Sequence, residues 1–157
     1  MIRPAEPGDS DSIVRLAVAA EMFPPEEAPF LEAMMAEYFG GAAGEGHRCL
    51  VEDAGAAGVQ AVAYVQPKQA ADRVWDLTMI AVHPGRQGSG LGTALLRRVE
   101  GELAGEGQRL LLVETSGTAQ YDRTGAFYAA RGYDEEARVR DYWAAGDDLV
   151  LFRKPLA

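Results

Sequence analysis

The chain has 157 residues, a net charge of −9 and one cysteine, Cys49, so an internal disulfide is excluded. A chain of this length buries about 70% of the surface that it exposes when unfolded, and we therefore expect a single domain, residues 1–157, that needs no stabilising metal ion. The negative charge disfavours nucleic acid and anionic membranes as partners, and no segment has the roughly 20 continuous apolar residues of a membrane span.

The first predicted elements are a short strand and two helices. MIRPA (1–5) is typical of a strand, and charged residues stand where a signal peptide would have its apolar core, so we expect a cytoplasmic protein. Asp9 or Ser10 is suited to cap a first helix, whose predicted apolar side is Ile13, Leu16, Ala17 and Ala20. A second helix is predicted from Pro29 to Phe39, with an apolar side formed by Phe30, Ala33 and Met34.

A hairpin and a strand, helix, strand unit follow. HRCLVED (47–53) and VQAVAYVQP (59–67) predict two strands joined by a turn. WDLTMIAVHP (75–84) predicts a strand, Leu91 to about Gly105 a helix, and RLLLVET (109–115) a second strand parallel to the first. A short helix at 124–130, with Gly132 as its left-handed cap, and strands at 135–141 and 148–153 complete a mixed α/β sheet.

Three glycines mark the start of the third helix. Gly88, Gly90 and Gly92 directly follow a strand that the apolar sequence predicts to be buried. A helix N-terminus carries about half a positive charge and several unpaired N–H donors, and glycine lets an anion approach them closely. The segment therefore predicts a site for a phosphate or pyrophosphate.

Two common phosphate-binding patterns fail in this segment. A dinucleotide fingerprint would need glycine or alanine where Thr93 or Leu95 stands. A P-loop would need lysine and a hydroxyl residue where Leu91 and Gly92 stand. A third pattern, Q/R-x-x-G-x-G/A, is met by Gln87, Gly90 and Gly92.

With this pattern the chain resembles the GNAT superfamily of acetyl-CoA-dependent N-acetyltransferases. The resemblance rests on LTMIAVHPGRQGSGLGTALLRRVE (77–100), LLLVET (110–115) and AFYAARGY (126–133), which occur in family order. The opening IRPAEPGDSDSIVRLA (2–17) is also similar to the start of the family. The resemblance implies a mixed, mostly antiparallel central sheet of about six to seven strands, flanked by about four helices.

The resemblance also implies acetyl-CoA as co-substrate and no metal. Two parallel strands, corresponding to 77–82 and 110–114, splay apart after a bulge in the first, and the pantetheine arm lies in the gap between them. The glycine segment would hold the pyrophosphate through backbone N–H groups, with Arg86 and Gln87 closing over it. The implied cofactor contacts are Ile80, Ala81, Val82, Arg86, Gln87, Gly88, Ser89, Gly90, Leu91, Gly92 and Thr93.

Catalysis needs a neutral amine, a polarised thioester carbonyl and a proton for the departing thiolate. Tyr128 aligns with the family tyrosine that often protonates the thiolate, and the N–H of Val82, placed at the bulge, is a candidate oxyanion donor. Glu114 and Asp76 are candidate bases, although carboxylates at strand ends are more often solvated or paired with cations. Tyr121 occupies the position of a family asparagine that reaches the cofactor arm, so contacts on that side stay open.

The acceptor is the least determined feature. In the resembling family it is selected by the segment between the first two helices and by the last strands, and here these segments offer Glu21, placed in the first helix, Phe23 and Tyr142. Acidic and aromatic side chains suit a cationic amine, of a small molecule or a peptide, but they equally suit a solvated turn and a hairpin tip. Dimers are common in the family, so a homodimer is a further expectation, although the sequence shows no exposed apolar stripe.

Other functions compete with acetyl transfer. A noncatalytic acyl-CoA-binding sensor remains the alternative function. A nucleophilic role for Cys49 is disfavoured because RCLVE is typical of a buried strand. His47 and His83 have no partners at metal-ligand spacing, and His83 is expected to make local hydrogen bonds in the VHP turn.

Overall fold

Seven strands form one mixed sheet in the computed structural model, which describes residues 1–156. The strands are Ile2–Pro4 (β1), Arg48–Asp53 (β2), Val59–Pro67 (β3), Val74–Val82 (β4), Leu110–Ser116 (β5), Asp134–Ala144 (β6) and Asp147–Pro155 (β7). The helices are Ser10–Ala19 (α1), Ala28–Gly40 (α2), Leu91–Gly105 (α3) and Asp122–Ala130 (α4). The strand order is β1-β2-β3-β4-β5-β7-β6, and only β4 and β5 pair in parallel, which confirms the expected fold class.

The parallel pair β4–β5 is short. Only Val74–Asp76 pair with Leu110–Leu112, and beyond these residues the two strands separate. A register shift against β3 leaves Thr78 without a cross-strand partner, since Tyr64 faces Met79 while Val65 faces Leu77. Such a bulge bends and twists its strand. The splay is therefore as expected, but the bulge lies at Thr78, not at Val82, because Val82 keeps a regular partner on β3.

The two faces of the sheet carry separate apolar cores. One contains α3, α4 and the side chains of β4 and β5 that point toward them, among them Leu95, Leu111 and Tyr128. The other contains α1, α2 and the opposite side chains of β3 and β4, among them Met35, Tyr64 and Met79. None of the helices in residues 1–156 is both long and apolar enough to cross a lipid bilayer.

The orientation of α2 differs from the sequence prediction. The helix buries Leu31, Met35 and Tyr38, whereas Phe30 is 63% exposed and Ala33 is also exposed. Apolar residues occur on all sides of this helix, so periodicity did not select one face. Packing against β3 and β4 selected it instead.

The two ends of α1 also differ from expectation. The helix begins at Ser10, and the Asp9 side chain does not cap it. The Asp9 carboxylate instead accepts hydrogen bonds from Arg3 and from the backbone N–H of Glu6, both at 2.8 Å. Glu21 lies beyond the C-terminus of the helix, in a left-handed conformation with φ of 59°.

The assigned face of α2 can be tested with neighbouring substitutions. Leu31→Ala should lower the free energy of unfolding by about 2–5 kcal/mol, because this side chain is fully buried. Phe30→Ala should change it by less than about 1 kcal/mol. Urea denaturation followed by circular dichroism measures both, and a larger loss for Phe30→Ala would contradict the orientation described here.

Candidate active site

The gap between β4 and β5 exposes backbone groups of β4. The N–H of His83 donates to the Gln60 carbonyl of β3 at 2.8 Å, which fixes the alternation of the antiparallel ladder. Ile80 and Val82 therefore direct their N–H and C=O groups away from β3 and into the gap. Ala81 directs its own main-chain groups toward β3.

A tight turn closes the gap at the end of β4. The Gly85 N–H donates to Nδ1 of His83 at 3.0 Å, which is the local hydrogen bond expected of this histidine. Nε2 of Gln87 donates to the Val82 carbonyl at 3.2 Å, so in this structure Gln87 lies back against the strand. Arg86 and Ser89 lie on the exposed outside of the turn, where the Ser89 hydroxyl donates to the Arg86 carbonyl.

The glycine segment presents unpaired N–H donors at the start of α3. Gly88 and Gly90 have φ of 78° and 90°, a left-handed conformation that other residues adopt only at a cost. The first hydrogen bond of the helix runs from the Ala94 N–H to the Gly90 carbonyl at 2.9 Å. The N–H groups of Leu91, Gly92 and Thr93 precede it and have no partner within the helix.

Gly92 is required for a different reason. It lies in the first turn of α3 with ordinary helical geometry, and a Cβ there would come within 3.5 Å of Phe127 and of Val82. That distance is an ordinary van der Waals contact, so alanine fits while a larger side chain would press on Phe127. This agrees with a pattern that allows either glycine or alanine at the position.

Tyr128 lies under the splayed strands. Its side chain is 3% exposed, with the rings of Phe127, Tyr133 and Phe152 at centroid distances of 5.3, 5.4 and 5.6 Å. Burial raises the pKa of the Tyr128 phenol, and the nearby carboxylate of Asp76 raises it further. The phenol therefore stays protonated across the neutral range. No residue within 1–156 accepts its hydrogen bond, and its oxygen is not among the fully buried polar atoms without a partner, so the hydroxyl keeps slight contact with solvent and is available as a donor.

Asp76 stands where β4 and β5 part. It is 8% exposed, and its Oδ2 accepts a hydrogen bond from the Thr78 hydroxyl at 3.1 Å, while Oδ1 is the single buried side-chain polar atom without a hydrogen-bond partner in residues 1–156. Nζ of Lys68 lies 4.0 Å from Oδ1. Burial raises the pKa of the Asp76 carboxyl, against the lowering effects of Lys68 and Thr78.

Glu114 lies on the same side of the sheet in a wetter position. Leu112 pairs with Asp76, and Glu114 is two residues further along β5, so both carboxylates point to one face. Glu114 is exposed, and its negative charge adds to the raised pKa of Asp76. Of the two candidate bases, one is therefore solvated and the other is held in a dry environment.

The predicted acceptor residues lie on two separate segments. Phe23 packs against the α1–α2 core and is 6.4 Å from the ring of Phe30. Tyr142 is exposed on the β6–β7 hairpin, stacked edge-on against Trp143, whose indole N–H donates to the Thr115 carbonyl at 3.1 Å. No hydrogen bond or ring contact within residues 1–156 joins Phe23 to the β6–β7 hairpin, and the Glu21 backbone N–H donates to the Val18 carbonyl.

Two groups of functional interest were not identified from the sequence. Thr78 supplies both the bulge and a hydrogen bond to Asp76, and Gln66 donates to its hydroxyl at 2.8 Å. Arg131 donates through Nε to the Thr93 hydroxyl at 2.7 Å. The sequence features that could have pointed to them are a threonine within an apolar strand, for Thr78, and an arginine at the end of a short helix, for Arg131. The expected burial of Cys49 is confirmed, and burial raises the pKa of its thiol to about 12.

Comparisons with known proteins identify the family. Residues 45–135 match the family profile described as acetyltransferase (GNAT) domain. A GNAT-family protein from Desulfovibrio desulfuricans is 34% identical over 100% of this chain and 99% of its own, with a TM-score of 0.90. This chain belongs to the GNAT acetyltransferase family. A comparison with curated protein sequences gives no significant match.

Two more distant structures share the GNAT fold. The ribosomal-protein-S18-alanine N-acetyltransferase from Escherichia coli is 24% identical over 100% of this chain and 94% of its own, with a TM-score of 0.80. A phosphinothricin acetyltransferase from Sinorhizobium meliloti, determined with acetyl-CoA, is 23% identical over 100% and 88%, with a TM-score of 0.79. At these identities the likeness establishes the fold alone, and it does not identify the acceptor of this GNAT protein.

The two glycine roles at the start of α3 predict different responses to alanine. Gly90→Ala should lower the free energy of unfolding by about 1–2 kcal/mol, because its φ is left-handed. Gly92→Ala should be neutral or stabilising by up to about 1 kcal/mol, because alanine is favoured in a helix and the space admits its methyl group. Equal losses for the two variants in urea denaturation would contradict these assignments.

Proposed function

We propose that this GNAT protein is an N-acetyltransferase that moves the acetyl group of acetyl-CoA to a primary amine by direct attack in a ternary complex. The observation that carries the proposal is the placement of Asp76, a buried carboxyl with an oxygen that accepts no hydrogen bond, at the point where β4 and β5 part; its charge also contributes to the raised pKa of the Tyr128 phenol. Family membership and the acetyl-CoA-bound relative support it.

The residues along β4 fit the shape and chemistry of acetyl-CoA. About 20 Å of strand separate Asp76 from the glycine segment, so one end of the gap suits an acyl group and the other a pyrophosphate. Backbone groups of Ile80 and Val82 face the gap, where an amide-rich arm pairs with a strand edge. The unpaired N–H groups that follow Gly90 suit phosphate oxygens.

In the proposed reaction Asp76 receives the proton that the attacking amine loses. An alkylammonium has a pKa near ~10.4, so a base must neutralise the amine at physiological pH. A carboxylate whose pKa is raised by burial is a stronger base than a solvated one. Glu114, exposed on the same face, is better suited to attract the cationic acceptor than to take its proton.

Backbone and phenol donors would serve the thioester. The N–H groups of Ile80 and Val82 face the gap and are candidate hydrogen-bond donors to the oxyanion that forms as nitrogen adds to the carbonyl carbon. When the carbon–sulfur bond breaks, the Tyr128 hydroxyl donates a hydrogen bond to the thiolate. The raised pKa of the phenol makes complete proton transfer from Tyr128 unfavourable on its own. We therefore assign it stabilisation of the thiolate, with the proton replaced from solvent.

The acceptor class follows from charge. Three segments near the face on which Asp76 lies carry acidic side chains: Glu114 on β5, Glu26 and Glu27 between α1 and α2, and Asp147 at the β6–β7 hairpin, where it accepts a hydrogen bond from Ser116 of β5. Exposed aromatic rings, Tyr142 and Trp143, stand on the same hairpin. A cationic primary amine, of a small molecule or of a peptide, meets both features.

A titration with acetyl-CoA and a thiol-release assay over a panel of amines test this function. The wild-type protein should bind acetyl-CoA and release thiol with at least one cationic amine. Tyr128→Phe should lower kcat by about 10-fold or more while leaving the Kd of acetyl-CoA within about twofold, because the hydroxyl acts on the leaving group. Binding without release would favour the noncatalytic sensor, and absence of binding would overturn the cofactor assignment.

The choice of base is tested by the pH profile. The base must be ionised, so kcat should fall as the pH drops through the raised pKa of Asp76, above the ordinary carboxyl value of about 4. Asp76→Asn should abolish this acidic limb and lower kcat by about 100-fold or more. Glu114→Gln is the matched control and should keep the limb while raising the KM of a cationic acceptor. If the fall of kcat at low pH disappears in Glu114→Gln and persists in Asp76→Asn, then Glu114 is the base and Asp76 is not.

A further inference from the structure

Arg131 links the two helices that flank the gap. It ends α4, and its Nε donates to the Thr93 hydroxyl in the first turn of α3 at 2.7 Å. Its Nη1 donates to the Phe127 carbonyl at 2.8 Å, and the guanidinium lies 3.8 Å from the centre of the Phe127 ring. The same ring contacts the space above Gly92. One side chain thus touches Thr93 and the residue next to Tyr128.

The backbone of Arg131 is also held in place. Nζ of Lys154 donates to the Arg131 carbonyl at 2.8 Å and to Glu100 of α3 at 3.0 Å. Gly132 follows with φ of 90°, which closes the helix end. The guanidinium is therefore fixed from its backbone, from its two hydrogen bonds and from the aromatic ring that it covers.

The electrostatic setting of this guanidinium is unusual for an acidic protein. The chain has 24 acidic residues, yet among residues 1–156 no carboxylate lies within ion-pairing distance of Arg131. Its positive charge stands at the N-terminus of the 15-residue helix α3, whose dipole end is also positive. Two positive ends repel one another unless an anion binds between or beside them. The arrangement is therefore complementary to an anion at the start of α3.

We propose that Arg131 is a positioning residue for the phosphate-binding turn: by holding the Thr93 hydroxyl as an acceptor, it aims the Thr93 hydrogen and the first N–H groups of α3 at the pyrophosphate of acetyl-CoA. This role rests on the function proposed above. No residue within 1–156 accepts a hydrogen bond from the Thr93 hydroxyl, so its hydrogen remains available to a phosphate oxygen.

The contact with the Phe127 carbonyl extends the role to α4. The guanidinium that holds Thr93 also fixes the backbone one residue before Tyr128. The turn that would bind the phosphates and the helix that carries the phenol therefore keep a constant relative position. Loss of Arg131 should weaken cofactor binding first, and should alter kcat only to the extent that α4 shifts.

Calorimetric titration with CoA of the wild type, Arg131→Gln and Arg131→Lys tests this role. Arg131→Gln should raise the Kd of CoA about 10-fold, as expected for loss of a hydrogen bond to a charged group, and Arg131→Lys should recover part of the affinity. The KM of acetyl-CoA should rise in parallel, with the KM of the amine unchanged within about twofold. Arg97→Gln, which removes an exposed arginine from α3, is the charge-matched control and should leave the Kd unchanged.

Two further measurements separate positioning from other roles. Thr93→Val should weaken CoA binding, and its effect should largely disappear in the Arg131→Gln background, because the two residues act through one hydrogen bond. The loss in Arg131→Gln should be the same for CoA and for dephospho-CoA. A loss confined to CoA would instead mean direct contact with the 3′-phosphate and would overturn the positioning role.

The outcomes distinguish this role from the proposed function. If the wild type binds CoA and Arg131→Gln binds it with the same Kd, the role is wrong and the function stands, even if the melting temperature of the variant falls. If the wild type binds neither CoA nor acetyl-CoA, the proposed function fails and this role fails with it. Should Arg131→Gln not fold, the Thr93→Val affinity decides the question, and an unchanged Kd overturns the role.

Discussion

The early separation of β4 and β5 is the constraint on which the rest of the site depends. Three residue pairs hold the two strands together, and the bulge at Thr78 then turns β4 away. A regular parallel pair would have continued to pair its backbone groups and closed the sheet. Because the strands part, the backbone groups of Ile80 and Val82 are left without a strand partner at the centre of a seven-stranded sheet. Gln87 donates to the Val82 carbonyl, but the remaining half-buried backbone groups have no such partner, so the gap is suited to a ligand with amides of its own.

The same separation brings polar side chains from both faces of the sheet together. Asp76 belongs to the face that carries α1 and α2, while Tyr128 comes from α4 on the other, and the charge of Asp76 contributes to the raised pKa of the Tyr128 phenol. A carboxyl with one unpartnered oxygen in this environment opposes folding when ionised. Since its pKa is raised in the folded protein, that cost grows as the pH rises from the ordinary carboxyl pKa to the raised one, and it is absent below the ordinary value. Thr78 and Lys68 offset part of it, and the remaining cost is typical of a group that is retained for chemistry.

Local geometry also reconciles an acidic chain with an anionic co-substrate. The net charge of −9 would repel a cofactor that carries several phosphates. At the start of α3, however, backbone N–H groups, the helix dipole and the guanidinium of Arg131 all present positive potential within one turn. Acidic side chains of α3 itself are paired with cations, Glu100 with Lys154 and Glu102 with Arg98. The local potential at the start of α3 thus differs in sign from the net charge of the chain.

The succession of strands and helices along the chain and the glycine segment were determined by the sequence, because each depends on local spacing: apolar periodicity for α3, turn residues for the hairpin, and the fixed interval from Gln87 to Gly92. The candidate phenol, Tyr128, came from the resemblance to the family. Features that depend on contacts distant in sequence required the tertiary structure. The prediction of the buried face of α2 was wrong because that helix is apolar all around. Packing against β3 and β4 selected Leu31 and Met35 instead. The position of the bulge depends on register with Tyr64 and Val65. The difference in exposure between Asp76 and Glu114, which separates their proposed roles, depends on how the surrounding chain packs. The contact between Arg131 and Thr93 joins residues 38 positions apart, so sequence spacing does not reveal it.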